Sequence, residues 1–144
     1  AGHQDARYPQ AQAAAAKLPP AARVRFIGPV SDGDAAALYS ACDVFVYPSL
    51  YEGFGLTPLE AMSCGAAVIC SKTSALPEVT GEAALLIDPG DVRDIAAALS
   101  RTLSDGALRT DLGLRSRVQA LRFSWDRTAA LTIGHYRHTQ RSSA

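Results

Sequence analysis

This sequence of 144 residues has no net charge, few cysteines and no long apolar stretch. Its 14 basic and 14 acidic side chains balance, which argues against a nucleic-acid partner held by bulk charge. Cys42, Cys64 and Cys70 lack metal-ligand spacing, so we interpret them as small apolar residues in a reducing compartment. No stretch approaches the roughly 20 apolar residues that a membrane span needs, and no signal peptide is visible in the residues given. These absences favour a cytoplasmic protein.

The charges are unevenly distributed along the chain. Residues 1–104 carry 7 basic and 11 acidic groups, whereas residues 105–144 carry 7 basic and 3 acidic groups. One interpretation of the second segment is a solvated, arginine-rich helical face, which is the usual fate of such charge runs. The other is contact with another domain, or peripheral contact with the inner face of a membrane.

Short apolar runs alternate with helical segments, and their order predicts the fold class. The predicted strands are 24–27, 44–47, 67–70 and 84–87. The predicted helices are 11–17, 31–42, 58–63, 77–80, 91–104, 107–121 and 126–139. Strands that alternate with helices form parallel βαβ units. For a single domain of this length we predict an α/β fold, with a Rossmann-like parallel sheet of about four strands and flanking helices.

The most informative segment is Tyr51–Met62, where a glycine-rich turn joins a predicted strand to a predicted helix. Thr57 is placed to cap that helix, and Pro58 has a backbone angle suited to its first position. In a parallel sheet, ligands bind at the carboxyl ends of the strands. The free amides and positive end of a helix also attract anions, so the turn over residues 53–56 is a candidate anion site.

Two glutamates, Glu52 and Glu60, stand eight positions apart on either side of this turn. Taken alone, Glu52 is either a solvated loop carboxylate or a functional one, because function concentrates in such loops. Glu60 also fits a capping box with Thr57, in which its carboxylate would reach back to the Thr57 amide. A glycoside hydrolase is disfavoured, because its two carboxyl groups stand about 5–9.5 Å apart across one bond. Eight mostly helical positions span roughly 10 Å, which suits two ends of a longer ligand.

This segment resembles the E-x7-E signature of retaining glycosyltransferases of family 4, in the donor-binding half of the GT-B fold. The likeness also covers residues 24–28, 38–49, 76–79, 85–89 and 123–127, in the family's order and spacing. It implies that residues 1–144 are the donor domain in the C-terminal half of a GT-B glycosyltransferase. That enzyme would transfer a hexose from a UDP-, GDP- or ADP-sugar to an acceptor bound by an N-terminal domain that is absent from this chain.

The resemblance also implies roles for individual residues. Glu52 would be the catalytic residue, hydrogen-bonding the donor hexose and fixing its anomeric carbon for attack. Glu60 would accept hydrogen bonds from the ribose hydroxyls, with helix capping as a secondary role, and Val30 would pack against the nucleotide base. The backbone amides facing the sugar and its diphosphate would be those of Gly53, Phe54, Gly55, Leu56 and Thr57. The Phe54 side chain is expected to pack rather than to stack on a ligand.

No metal or other cofactor is expected. The sequence has no Asp-x-Asp, the metal–diphosphate motif of the other main transferase fold. His135 and His138 lack a nearby carboxylate or cysteine with which to form a metal site. The alternative to a metal-independent transferase is a non-catalytic nucleotide-binding or interaction module, because half an enzyme can bind without turning over.

Residues 1–3 resemble those that follow the second strand of the family's donor domain, so the first strand would precede this chain. In the family's strand order, 3-2-1-4-5-6, the absent strands would lie between 24–27 and 44–47. The strand at 44–47 would then have an open apolar edge, prone to self-association or to pairing with a partner. We therefore expect residues 1–144 alone to lack transferase activity and to bind donor weakly.

The sequence also predicts the roles of several single residues. Ser31 is placed to cap the second helix, and Gly65 to end the helix that carries Glu60. Trp125 is expected in the core and Lys72 in solvent. Residues 73–75 occupy a turn where many relatives have glycines, which weakens any assignment of this turn to the sugar.

Overall fold

The computed structural model describes residues 9–142, and the side chains of residues 9–139. Residues 1–3, for which the sequence predicts a position just after a strand, lie outside the described residues. The chain divides into two units, Ala1–Ala35 and Ala36–Ala144, and each is described by itself.

In the first unit, helix α1 spans Gln10–Ala15, and residues 22–31 form neither helix nor strand. The strand predicted at 24–27 is therefore wrong, and the side chains of Val24, Phe26 and Ile27 are exposed. The strands of the described residues pair only with one another. A run of apolar residues becomes a strand only when a neighbouring strand accepts its hydrogen bonds, and the sequence pattern cannot supply that neighbour.

Helix α2, Asp32–Ala41, begins at the cap that the sequence predicts. The Asp34 amide donates to Ser31 Oγ at 3.2 Å, and the Ser31 hydroxyl donates to Asp34 Oδ2 at 2.7 Å. This reciprocal pair satisfies one free amide and places a carboxylate at the positive end of the helix.

Three parallel strands form the sheet of the second unit, in the order β1-β2-β3. They span Phe45–Tyr47, Val68–Ser71 and Ala84–Ile87. The parallel α/β arrangement is confirmed, but the described residues contain three strands instead of the predicted four. Strand β1 ends the order, so its outer side has no strand partner within residues 9–142. This side is the open edge that the sequence predicts.

Helices connect and follow the strands in the alternation typical of βαβ units. The connections are α3, Leu56–Ser63, between β1 and β2, and α4, Leu76–Thr80, with a short 3-10 turn before β3. After β3 come α5, Val92–Ser104, α6, Gly106–Ala120, and α7, Trp125–Ser142. The last three helices are each capped by a side chain that accepts from a first-turn amide, namely Asp91, Asp105 and Ser124.

Strand β2 lies at the centre of the core, and all of its residues are buried. Val68 and Cys70 share one face of the strand and pack with Met62 and Leu76. Partly buried side chains from α2, the residue after it, β1 and α6 close this cluster: Tyr39, Cys42, Phe45, Tyr47 and Ala120. Burial on both faces is typical of a parallel sheet covered by helices.

Helix α3 ends in a turn that also sets its distance from α6. The Gly65 amide donates to the Met62 carbonyl at 2.9 Å, and the Ala66 amide donates to the Ala61 carbonyl at 3.0 Å, which confirms the predicted role of Gly65. A Cβ atom built on Gly113 of α6 would lie only 2.7 Å from the Gly65 carbonyl oxygen. Glycine at position 113 therefore lets the α6 backbone pack against the backbone of the turn that ends α3.

The prediction that Trp125 lies in the core is wrong. Trp125 is the first residue of α7, because Ser124 caps that helix, and its side chain is 78% exposed. Large aromatic side chains are seldom fully buried, and this one lines a surface groove.

None of the helices within residues 9–142 has the length and apolar character that crossing a bilayer requires.

Candidate functional site

The loop after β1 carries Glu52, whose carboxylate is held at one of its two oxygens. The Tyr47 hydroxyl donates to Oε1 at 2.7 Å, and the Ser49 hydroxyl donates to the same oxygen at 2.9 Å. The other oxygen, Oε2, accepts no hydrogen bond from the described residues, and the side chain is half-buried. Hydrogen bonds to a carboxylate are stronger than hydrogen bonds between neutral groups. The two bonds to Oε1 therefore hold the Glu52 carboxylate in place, and Oε2 stays open in a defined direction.

The turn after β2 holds the Glu52 loop from the other side. The Glu52 amide donates to Ser74 Oγ at 3.1 Å, and the Thr73 hydroxyl donates to the Leu50 carbonyl at 3.3 Å. Ser74 has φ of 56°, and within residues 9–142 it is the only non-glycine residue with a positive φ. Glycine would suit such a backbone, whereas Ser74 adds a hydroxyl that fixes the Glu52 amide.

Two substitutions at Ser74 separate the hydrogen bond from the backbone strain. Ser74→Ala should lower the free energy of unfolding by about 1 kcal/mol, because it removes the hydrogen bond and keeps the left-handed backbone. Ser74→Gly also removes the bond, but it relieves roughly 1–2 kcal/mol of strain and should stay close to wild type. Urea unfolding of the intact protein measures both. A glycine variant as unstable as the alanine variant would contradict this account.

Helix α3 begins earlier than the sequence predicts, at Leu56 rather than at Pro58. Gly55 is its N-cap, with φ of 105°, and no side chain caps the helix. The prediction that Thr57 caps α3, alone or in a box with Glu60, is therefore wrong. Glycine reaches a left-handed backbone at little cost, which turns the chain into the helix before Thr57 can act as a cap. Pro58 sits in the first turn, where a missing amide hydrogen costs nothing.

The amides of residues 53–57 lie at this helix start, and none of them donates a hydrogen bond within the described residues. The first intrahelical bond runs from the Leu59 amide to the Gly55 carbonyl at 3.2 Å. Free amides at the positive end of a helix form an anion-binding surface. The Phe54 ring packs edge-on against Phe123, with centroids 5.9 Å apart, so it makes the packing contact that was expected of it.

Glu60 lies in the second turn of α3 with an exposed side chain. Its Oε2 accepts a hydrogen bond from the Tyr39 hydroxyl of α2 at 3.3 Å. Burial and the neighbouring Glu60 carboxylate raise the pKa of Tyr39, and burial and the hydrogen bond to Glu52 raise the pKa of Tyr47. Both phenols therefore keep their protons at neutral pH and act as donors.

Sequence reasoning found both glutamates but missed the side chains that hold them. Tyr47 and Ser49 could have been suspected, because they lie five and three positions before Glu52. Tyr39 and Ser74 are separated from their partners by 21 and 22 positions, and only the tertiary fold brings them into contact. Val30 belongs to the first unit, and its contact with a nucleotide base stays a prediction.

A groove of about 300 Å³ lies beside Glu60 and is lined mainly by apolar side chains, including Phe54, Leu59, Phe123 and Trp125.

At the carboxyl ends of β2 and β3, Lys72 Nζ lies 3.0 Å from Asp88 Oδ2. This pair raises the pKa of Lys72 and lowers the pKa of Asp88. The Lys72 side chain is exposed, as expected, and it is also paired with Asp88. Within residues 9–142, no group of three His, Cys, Asp or Glu side chains could hold a metal ion.

The profile of the family described as glycosyl transferases group 1 matches residues 1–119. The chain belongs to this family. Among group 1 glycosyltransferases, the O-antigen chain mannosyltransferase B of Escherichia coli is 47% identical to it over 114 residues, which are 79% of this chain and 30% of that protein.

Two solved structures also match this chain. Sucrose-phosphate synthase from Thermosynechococcus elongatus matches with a TM-score of 0.77 and 33% identity, over 96% of this chain and 35% of that one. Anabaena Alr3699/HepE in complex with UDP matches with a TM-score of 0.65 and 25% identity, over 85% of this chain and 33% of that one. The group 1 chain described here thus has the GT-B type of α/β fold that its sequence predicted, and it spans about a third of the length of these relatives.

Proposed function

We propose that residues 1–144 are the donor-binding domain of a retaining glycosyltransferase. The domain binds a nucleotide-diphosphate sugar, and the hexose passes to an acceptor held by a domain outside these residues. One observation carries the proposal. At the carboxyl end of β1, Glu52 has one anchored and one open oxygen, beside a helix start with free amides.

Each group at this site has a distinct role in the proposed reaction. The open oxygen of Glu52 accepts hydrogen bonds from the hexose and orients its anomeric carbon. The amides of Gly55, Leu56 and Thr57 meet the charge that develops on the departing diphosphate. Glu60 accepts hydrogen bonds from the ribose, and an ionised carboxylate has enough acceptor sites to keep the Tyr39 bond as well.

The relatives suggest which donors to test first. The E. coli relative is named as a mannosyltransferase, and the Anabaena structure contains UDP. We therefore propose a hexosyl donor, with mannose as the first sugar to examine and UDP, GDP and ADP as the nucleotides to compare.

The intact protein should bind one of these nucleotides and consume the corresponding sugar nucleotide, with and without EDTA. Metal independence is part of the proposal, because amides and basic side chains would neutralise the diphosphate. Calorimetry with UDP, GDP and ADP measures binding, and release of the nucleoside diphosphate measures turnover. Proton NMR of the product should show the anomeric configuration of the donor retained.

Three results would contradict parts of this proposal. Nucleotide binding without donor consumption would point to a non-catalytic binding module. Loss of activity in EDTA, restored by Mg²⁺ or Mn²⁺, would contradict metal independence. An inverted anomeric configuration would contradict the retaining mechanism.

A further inference from the structure

Three aromatic rings form a continuous row between α2 and β1. The Tyr39 ring meets Phe45 edge-on, with centroids 5.3 Å apart, and Phe45 lies nearly parallel to Tyr47, with centroids 6.0 Å apart. All three rings are partly buried and pack against the core cluster around β2. Aromatic contacts of these kinds stabilise the relative orientation of the rings, so the row is a firm support.

The two ends of this row each hold one of the site glutamates. The Tyr47 hydroxyl donates to Glu52 Oε1 at 2.7 Å, and the Tyr39 hydroxyl donates to Glu60 Oε2 at 3.3 Å. In each carboxylate the other oxygen has no hydrogen-bond partner among the residues that the structure describes. Each tyrosine therefore leaves one carboxylate oxygen available to a ligand.

We propose that Tyr47 and Tyr39 are positioning residues for the donor, Tyr47 acting through Glu52 on the hexose and Tyr39 acting through Glu60 on the ribose. The inference rests on the proposed function, because it assigns the two glutamates to a bound sugar nucleotide. A glutamate that is fixed before the donor arrives loses less side-chain entropy on binding. It also holds the reacting sugar closer to the geometry that attack requires.

Removing the hydroxyl group from Tyr47 and from Tyr39, at the two ends of the row, should affect the reaction differently. The hydrogen bond from Tyr47 to Glu52 is short, and the Glu52 side chain that accepts it is half-buried. Glu52 is also the residue assigned to the reacting sugar. Tyr47→Phe should therefore lower kcat by about 10- to 100-fold, as expected when a reacting group is misplaced. The Tyr39 contact is longer and exposed. Tyr39→Phe should leave kcat near wild type and raise the Kd for the nucleotide by roughly 2- to 10-fold.

The experiment uses the intact protein, with phenylalanine substitutions that keep each ring and remove only its hydroxyl. Tyr51→Phe is the matched control, because Tyr51 lies next to Glu52, is 80% exposed, and donates no side-chain hydrogen bond within the described residues. For each variant, kcat and KM for the donor are measured, together with the nucleotide Kd by calorimetry and the melting temperature. The double variant of Tyr47→Phe with Glu52→Ala tests whether the two residues act as a unit, because alanine cannot accept the Tyr47 hydrogen bond.

We expect the double variant to turn over no more slowly than Glu52→Ala alone, because Tyr47 acts through the Glu52 carboxylate. Effects that multiply would overturn the inference, as would a Tyr47→Phe variant with the kcat of Tyr51→Phe. A lower melting temperature with unchanged kcat, KM and Kd would show that the three rings have only a structural role, and this result would also overturn the inference. If Glu52→Gln itself keeps full turnover, the proposed function fails, and the inference that depends on it fails with it.

Discussion

Replacement of Glu52 by glutamine should lower the turnover of the intact enzyme by about 100-fold or more, by analogy with the loss of one group that stabilises a transition state. The hydrogen bonds around Glu52 make this substitution informative. A glutamine oxygen could still accept from Tyr47 and Ser49, in the place of Oε1. The amide nitrogen would then replace Oε2, so a hydrogen-bond donor would face the sugar where the proposed complex needs an acceptor. In the proposed complex, the substitution also removes the negative charge beside the anomeric carbon.

Glu60→Ala is the comparison that separates reaction from binding. It should raise the Kd for the nucleotide by roughly tenfold or more, with a smaller effect on kcat, because Glu60 contacts only the ribose in the proposed complex. It should not weaken α3 through a lost cap, since Glu60 caps nothing there. The measurements are kcat and KM for the donor, nucleotide Kd and melting temperature. Equal turnover of wild type and Glu52→Gln would refute the assignment of Glu52.

Gly55→Ala should be the most damaging change to stability at the site, with a loss of about 2–5 kcal/mol in the free energy of unfolding. The backbone at Gly55 has φ of 105°, which an alanine adopts only under strain. A Cβ atom built there would lie 2.6 Å from Cδ2 of Leu76, a fully buried core residue. The chain would have to move, and the free amides of Leu56 and Thr57 would move with it. Donor binding should therefore weaken together with stability.

Gly53→Ala provides the control on the same loop. A Cβ atom at Gly53 would have no neighbour within 4 Å, and its φ is not in the left-handed range. We expect its urea unfolding midpoint to stay close to that of wild type, while the midpoint of the Gly55 variant falls. Similar losses at the two glycines, or no loss at Gly55, would show that the close approach to Leu76 does not restrict residue 55.

Sequence-based predictions are confirmed where local interactions determine the element, and they are wrong where a contact with a distant or competing residue decides it. Strand β3 has the predicted bounds, and the long helices α5 and α6 are each within a residue or two of them, because local periodicity and capping residues determine these elements. The strand expected at 24–27 required a neighbour that no local pattern can provide. The start of α3 was misplaced because Thr57 and Gly55 offer competing local signals, and the left-handed backbone of Gly55 prevailed.

The site shows the same division. The spacing of Glu52 and Glu60 and the glycine-rich turn between them were readable in the sequence. Tyr39 and Ser74 were not, because their side chains reach the two glutamate residues only after α2 and the turn after β2 are folded against them. The exposure of Trp125 was also unpredictable, since residue type alone does not tell whether an aromatic ring fills a core or lines a groove.

The contact between Gly65 and Gly113 bears on how the site can move. The space at residue 113 is too small for a methyl group, and backbone atoms have no alternative rotamers with which to yield. The turn that ends α3 therefore cannot approach α6 more closely, and we expect the two helices to shift together. We expect adjustment to ligands of different size to come mainly from the short loop that carries Glu52. If the proposed function holds, a few residues of this loop would decide which sugar binds, while α3 keeps its position.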